Sequence, residues 1–143
     1  MPYRHADVGL AVKRLQHRHH RAFSKALAPL GLSLVQWDTL RHLHQQPDAS
    51  LHDLAVLTFQ TDQSFGSLAT RMVDRGLIER LPAPGRAIKH RLTPEGERLR
   101  IAGQALADEV LQHSFEHLTE AQLNDLGTLL DAALGHEPAQ DPS

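Results

Sequence analysis

The sequence predicts a mainly α-helical fold with one small β-hairpin. Apolar residues recur at helical spacing along almost the whole chain. Ser33, Ser50 and Thr119 each precede an acid or amide by three positions, a pattern typical of helix starts. A fourth start, at Thr93, places proline at the first helical position. Two strand-like segments flank residues 82–86, which contain proline and glycine. We therefore expect helices over residues 7–28, 34–45, 51–57, 62–75, 94–117 and 120–134, and strands over 77–81 and 87–92.

The composition is that of one folded domain over residues 1–143. Hydrophobic side chains make up 41% and charged side chains 22% of the 143 residues, which suits a globular protein with a substantial core. The sequence contains no cysteine, which excludes disulfides and thiolate metal sites. No apolar run is long enough to cross a membrane, and the first residues do not resemble a signal peptide. We therefore expect a cytoplasmic protein with no membrane partner.

Charge is distributed unevenly along the chain. The net charge is −2, yet all 15 lysines and arginines lie within residues 1–100. Residues 101–143 contain 8 acidic residues and no lysine or arginine. This asymmetry predicts one positive and one negative surface, and the positive surface favours a polyanionic partner.

The two short helices expected over 51–57 and 62–75, followed by the hairpin, form the pattern of a winged helix-turn-helix. In that arrangement the second helix lies in the DNA major groove, so its exposed face should be small and polar. Its apolar positions are Phe65, Leu68, Ala69, Met72 and Val73. The opposite face carries the candidate DNA contacts, which are Gln63, Ser64, Gly66, Ser67, Thr70 and Arg71. On the second strand, Lys89, His90 and Arg91 are expected to add positive charge toward DNA.

Four segments, in order, resemble the MarR (multiple antibiotic resistance regulator) family. They are Leu30–Trp37, Asp74–Arg80, Arg91–Gly96 and Leu118–Gln122. The resemblance implies a winged helix-turn-helix lobe over 33–97 and dimerisation helices over 1–30 and 98–134, while residues 135–143 look like a frayed tail. It also implies a ligand-responsive repressor that binds a pseudo-palindromic operator in double-stranded DNA as a homodimer. No nucleophile elbow or phosphate-binding glycine loop favours an enzyme.

The resemblance extends to individual residues of the wing and of an inducer cleft. Arg86 matches the arginine that the family inserts into the minor groove, although the family's acidic partner is missing here, and a solvated arginine in a tight turn is the alternative. The implied cleft, between the DNA-binding lobe and the dimerisation helices, often accepts small aromatic acids. The candidate lining residues are Arg14, His19, Trp37, Leu40 and Leu106, for each of which core packing is the alternative.

Eleven histidines raise the question of a metal site. His113 and His117 lie four residues apart, so they are expected to share the apolar face of the fifth helix and could hold one Zn²⁺ together. No third ligand is identifiable, and Asp38, His42 and His44 are candidates by residue type only. We therefore expect no metal or other cofactor. The alternatives to a DNA-binding regulator are a histidine-based metal- or haem-binding sensor and a winged-helix module that binds protein.

Overall fold

The computed structural model describes residues 2–82, 85 and 87–135, and its order of elements confirms the mainly helical fold with a small hairpin. A short 3₁₀ turn, Ala28–Leu30, follows the first helix. The helices are α1 (His5–Leu27), α2 (Leu34–Gln45), α3 (Leu51–Leu57), α4 (Asp62–Asp74), α5 (Pro94–Ser114) and α6 (Glu120–Leu134). The strands are β1 (Ile78–Arg80) and β2 (His90–Leu92).

Hydrogen bonds at the helix starts explain why the observed first residues of the helices agree well with those predicted from the sequence. At the start of α2, the Ser33 hydroxyl accepts from the Gln36 amide at 3.2 Å, and the Gln36 side chain accepts from the Ser33 amide at 3.0 Å. The same reciprocal pair begins α3 and α6. The start of α4 is capped in one direction only, because the Thr61 hydroxyl accepts from the Ser64 amide at 3.1 Å.

The apolar faces of the helices meet in one core, which fixes the orientation of α4. Leu27, Leu40, Leu54 and Met72 are completely buried there. Phe65 is also completely buried, and Leu68 and Ala69 are nearly so, so α4 is held by its whole inner face. Complete burial of each leucine, methionine or phenylalanine side chain stabilises the fold by about 1.5–3 kcal/mol. The outer face of α4 is consequently presented to solvent in a fixed orientation.

The hairpin is shorter than expected, with three residues in each strand. Ile78, Glu79 and Arg80 pair antiparallel with Leu92, Arg91 and His90. Two backbone hydrogen bonds continue the ladder beyond the strands, from the Leu81 amide to the Lys89 carbonyl at 2.9 Å and from the Thr93 amide to the Leu77 carbonyl at 3.1 Å.

The fifth helix ends at Ser114, three residues earlier than expected. The Arg18 guanidinium donates to the Ser114 carbonyl at 3.0 Å and to the Ser114 hydroxyl at 2.7 Å. The Nε2 atom of His19 lies 2.6 Å from the same hydroxyl. A cation beside the last carbonyls stabilises a helix end, so α1 determines where α5 stops.

Two glycines allow α5 to pack closely against Leu77 and α2. A Cβ atom at Gly96 would overlap the backbone carbonyl of Leu77, which immediately precedes β1. A Cβ atom at Gly103 would overlap the indole ring of Trp37, whose Nε1 donates to the Arg100 carbonyl at 3.2 Å. The contacts of α5 with Leu77 and Trp37 therefore leave no room for a side chain at either glycine.

The last helix is amphipathic in sequence but leaves its apolar residues in solvent. Every residue of α6 is exposed except Leu126, which is half-buried. The exposed apolar side chains of α6 are Leu123, Leu129, Leu130 and Leu134, and those of α1 are Val8, Leu10 and Val12. Within the described ranges, no helix is both long and apolar enough to cross a membrane.

Candidate nucleic-acid interface

The outer face of α4 is a continuous strip of small polar side chains. Gln63, Ser64, Ser67, Thr70 and Arg71 are all exposed, and Gly66 between them is half-buried. Side chains of these types offer both donors and acceptors to base edges and phosphates. A Cβ atom added at Gly66 would meet no other atom within 4 Å, so the space above this glycine is open.

Local hydrogen bonds orient part of this face and leave part of it free. The Thr70 hydroxyl donates to the Gly66 carbonyl at 3.0 Å, and the Ser64 hydroxyl donates to the Gln60 side chain at 3.0 Å. In the part of the chain that the structure describes, no hydrogen bond engages the Gln63 amide or the Arg71 guanidinium. Those two groups are therefore available to a partner.

The hairpin contributes less charge to this side than the sequence suggests. Lys89 is half-buried, while Arg91 is paired with Glu79 across the strands at 2.9 Å. The candidate minor-groove residue Arg86 lies outside the described residues.

The expectation that His90 adds positive charge is wrong. His90 is only 3% exposed, and its Nδ1 atom has no hydrogen-bond partner in the described structure. Burial, together with the positive charge of Arg80, lowers the pKa of the His90 imidazole. The neutral ring is therefore favoured at pH 7, and the side chain is buried at a depression that α4 residues also line, instead of facing outward.

A cleft of about 730 Å³ opens between α2 and the two long helices α1 and α5. Its walls come from α1, α2, α5 and the turn between α3 and α4. Of the six aromatic residues that the sequence contains, three line this cleft: Phe23, Trp37 and Phe59. Thr58 and Gln60 lie beside Phe59 on the same wall. The cleft thus has the size and the apolar walls of a small-molecule site.

One ion pair gives the cleft its charged groups. Arg41 lies 2.6 Å from the Asp38 carboxylate, and its guanidinium carbon is 5.8 Å from the centre of the Trp37 ring. Burial opposes ionisation of Asp38, but hydrogen bonds from His42 and Arg41 outweigh it and lower the pKa of this carboxyl group. His20 on α1 also lines the cleft. The Arg41 guanidinium is suited to an anionic ligand group.

The structure brings only one of the five predicted cleft residues to the cleft wall, namely Trp37. Leu40 is completely buried in the core, and Arg14 lines a separate depression of about 700 Å³ on the outer side of α1. His19 packs against Phe23 and Phe115, and Leu106 is half-buried on α5. Sequence reasoning missed Phe59 and Gln60. Phe59 could have been noticed as a large apolar residue in a helix-turn-helix turn, where glycine is usual.

The expectation that His113 and His117 share a helix face is wrong, because α5 ends at Ser114. Their side chains are 82% and 93% exposed, and the nearest acidic group to His113 is Glu116 at 3.3 Å. Asp38, His42 and His44 are engaged in ion-pair contacts with Arg41, Asp38 and Glu97. Among the residues described, no three histidine, aspartate or glutamate side chains are placed to hold one metal ion.

A two-helix unit with an exposed polar second helix and a following hairpin is a winged helix-turn-helix, a class of DNA-binding protein. The model of the MarR family matches residues 30–87. Over 111 residues the chain is 31% identical to the HTH-type transcriptional repressor Rv2887 of Mycobacterium tuberculosis, covering 76% of this chain and 79% of the relative. The chain therefore belongs to the MarR family. Like the other members it is a transcriptional regulator and not an enzyme.

Two further similarities agree with this assignment. The chain is 26% identical over 120 residues to the HTH-type transcriptional repressor IacR of Pseudomonas putida, covering 82% of this chain and 72% of the relative. A structure of Rv2887 in complex with salicylic acid superposes with a TM-score of 0.73 at 26% identity, covering 92% of this chain and 97% of that one. Rv2887 has also been solved in complex with DNA, and that structure superposes with a TM-score of 0.76.

Proposed function

We propose that this regulator is a homodimeric repressor that acts in the cytoplasm and leaves its operator when a small aromatic carboxylate binds the cleft. Residues 33–97 form the DNA-binding lobe, and residues 1–30 and 98–134 form the dimerisation helices. The observation that carries the proposal is the orientation of α4. Its entire apolar face is fixed in the core, and its polar face is free for base edges in the major groove.

The contacts to DNA divide into two groups by side-chain type. Gln63, Ser64, Ser67 and Thr70 read base edges, while Arg71 and Lys89 bind phosphates. We propose that Arg86, in the segment between the two strands, enters the neighbouring minor groove. Close approach of the α4 backbone to DNA is possible because position 66 has no side chain.

Dimerisation accounts for the apolar surface that a single chain leaves exposed. Leu123, Leu129, Leu130 and Leu134 on α6 are too many exposed apolar side chains for a stable monomer surface. The charges of the two surfaces are also complementary. All charged residues of α6 are acidic, whereas Lys13, Arg14 and Arg21 line the depression on the outer side of α1. We infer that α6 of one copy packs along α1 of the other.

The chemistry of the cleft favours an aromatic acid as the inducer. Phe23, Trp37 and Phe59 offer ring faces and edges, and Arg41 offers a guanidinium group that a ligand carboxylate can share with Asp38. Rv2887, a relative at 31% identity, has been solved with salicylic acid. A ligand that prefers one arrangement of the two lobes changes the population of the DNA-binding arrangement.

The test uses a duplex that the wild-type protein selects from a random-sequence library. We expect salicylate to release the protein from this duplex, measured by fluorescence anisotropy, and to raise the melting temperature of the free protein. Cyclohexanecarboxylate, which has the charge but not the aromatic ring, should act at concentrations about tenfold higher.

Two arginine variants test whether salicylate acts by binding in the cleft. Arg41 and Arg98 each pair with an acid three residues earlier on their own helix, but only Arg41 lines the cleft. Arg41→Gln should weaken salicylate binding and leave the affinity for DNA intact, whereas Arg98→Gln should change neither. Release of the two variants at equal salicylate concentrations would contradict binding in the cleft.

A further inference from the structure

Phe59, in the turn between α3 and α4, combines two unfavourable features. Its φ angle is 59°, which makes it the one residue other than glycine with a positive φ in the described part of the chain. In this left-handed region the Cβ atom of an L-residue crowds the backbone, which is why glycine or asparagine is usual there. The phenyl ring is also 80% exposed to solvent, so the ring adds no core packing in return.

Hydrogen bonds hold this backbone conformation in place. The Phe59 amide donates to the Val56 carbonyl at 3.1 Å, and the Gln60 amide donates to the Ala55 carbonyl at 2.8 Å. These two bonds are the Schellman motif that ends α3, and it requires a left-handed residue at position 59. The strain is therefore a stable feature of the turn, and glycine would relieve it without changing the turn.

The turn connects the cleft to the DNA-facing side of α4. Phe59 and Gln60 both line the cleft. The Gln60 side chain also accepts the hydrogen bond from the Ser64 hydroxyl at 3.0 Å, and Ser64 lies on the first turn of α4. Thr61, the next residue, caps the same helix. Two residues, Gln60 and Thr61, thus link Phe59 to the start of α4.

We propose that Phe59 is the residue that senses the ligand, closing its ring over an aromatic carboxylate in the cleft and thereby shifting the start of α4. The apolar ring leaves water only when the ligand is present, so its burial favours the ligand-bound arrangement. This inference rests on the proposed function, since it assigns a residue to the response of the same cleft. It also explains why an apolar ring is placed at a position that favours glycine.

The decisive variant is Phe59→Gly, which keeps the turn and removes the ring. We expect it to melt at or above the wild-type temperature and to bind the selected duplex within about twofold of wild type. The salicylate concentration that releases it from the duplex should rise about tenfold, a factor in the range of one aromatic contact. Phe59→Tyr, which keeps a ring, should respond as wild type does. Tyr3→Ala removes an exposed ring outside the cleft and should also respond normally.

The outcomes separate the two proposals. Wild-type release that persists unchanged in Phe59→Gly would overturn the role of Phe59 and leave the proposed function intact. A wild-type protein that salicylate neither binds nor releases from DNA would overturn the proposed function, and this inference with it. A lowered melting temperature with an unchanged salicylate dissociation constant, measured by calorimetry, would show that the ring has a structural role and would also overturn the inference.

Discussion

Replacing Gly96 with alanine is expected to lower the free energy of unfolding by about 2–3 kcal/mol, the usual cost of overpacking a close contact. The new Cβ atom would overlap the Leu77 carbonyl, a backbone atom that cannot rotate away. The Leu77 carbonyl also accepts from the Thr93 amide at 3.1 Å, so a shift of the strand would weaken the start of α5 as well. Urea denaturation at a fixed protein concentration measures the loss, and the concentration matters because a dimer gains stability by mass action.

Gly66→Ala provides the matched control, because it makes the same substitution in a helix where the added Cβ atom meets nothing within 4 Å. There the change should leave stability equal or raise it by up to about 1 kcal/mol, since alanine is the better helix former. If Gly96→Ala has the same urea midpoint of unfolding as the wild type, the close contact between Gly96 and the Leu77 carbonyl is contradicted.

The second large effect that we expect is a loss of DNA-binding affinity when polar side chains of α4 are removed. Gln63→Ala and Ser67→Ala should each weaken binding to the selected duplex by about 1–3 kcal/mol and leave binding to unrelated DNA almost unchanged. Both side chains are exposed near the start of α4 and neither contributes to the core, so the variants should fold normally. Anisotropy titrations on the selected duplex and on a scrambled duplex measure the two affinities.

Gln112→Ala is the control for Gln63→Ala, because Gln112 is also exposed but lies on α5 and not on α4. It should bind both duplexes as the wild type does. Equal losses on the selected and the scrambled duplex in Gln63→Ala or Ser67→Ala would mean that these residues contact phosphates and do not read bases.

Features encoded within a few residues were predictable from the sequence. The reciprocal caps at Ser33, Ser50 and Thr119 each involve residues three positions apart, so the starts of α2, α3 and α6 follow from local chemistry. The inner and outer faces of α4 likewise follow from helical spacing alone.

Features that depend on distant residues were not predictable. The end of α5 is determined by Arg18 on α1, which is 96 residues away. His90 was assigned to the outer side with Lys89 and Arg91, although successive strand residues point in opposite directions, and His90 lies on the buried side. In the cleft, Leu40 follows Trp37 by three residues but faces the core. Arg41, one position further, shares the face of Trp37.

The central claim is that a dimer places two copies of α4 in successive major grooves of its operator. Dimethyl sulfate footprinting tests it most directly, because the reagent methylates guanine N7, an acceptor exposed in the major groove. We predict protected guanines in two half-sites about 10–10.5 base pairs apart, one helical turn of DNA. Protection in both half-sites should weaken in Gln63→Ala. A bound duplex whose guanine N7 atoms all remain reactive, or whose protection is confined to a single half-site, would contradict this account.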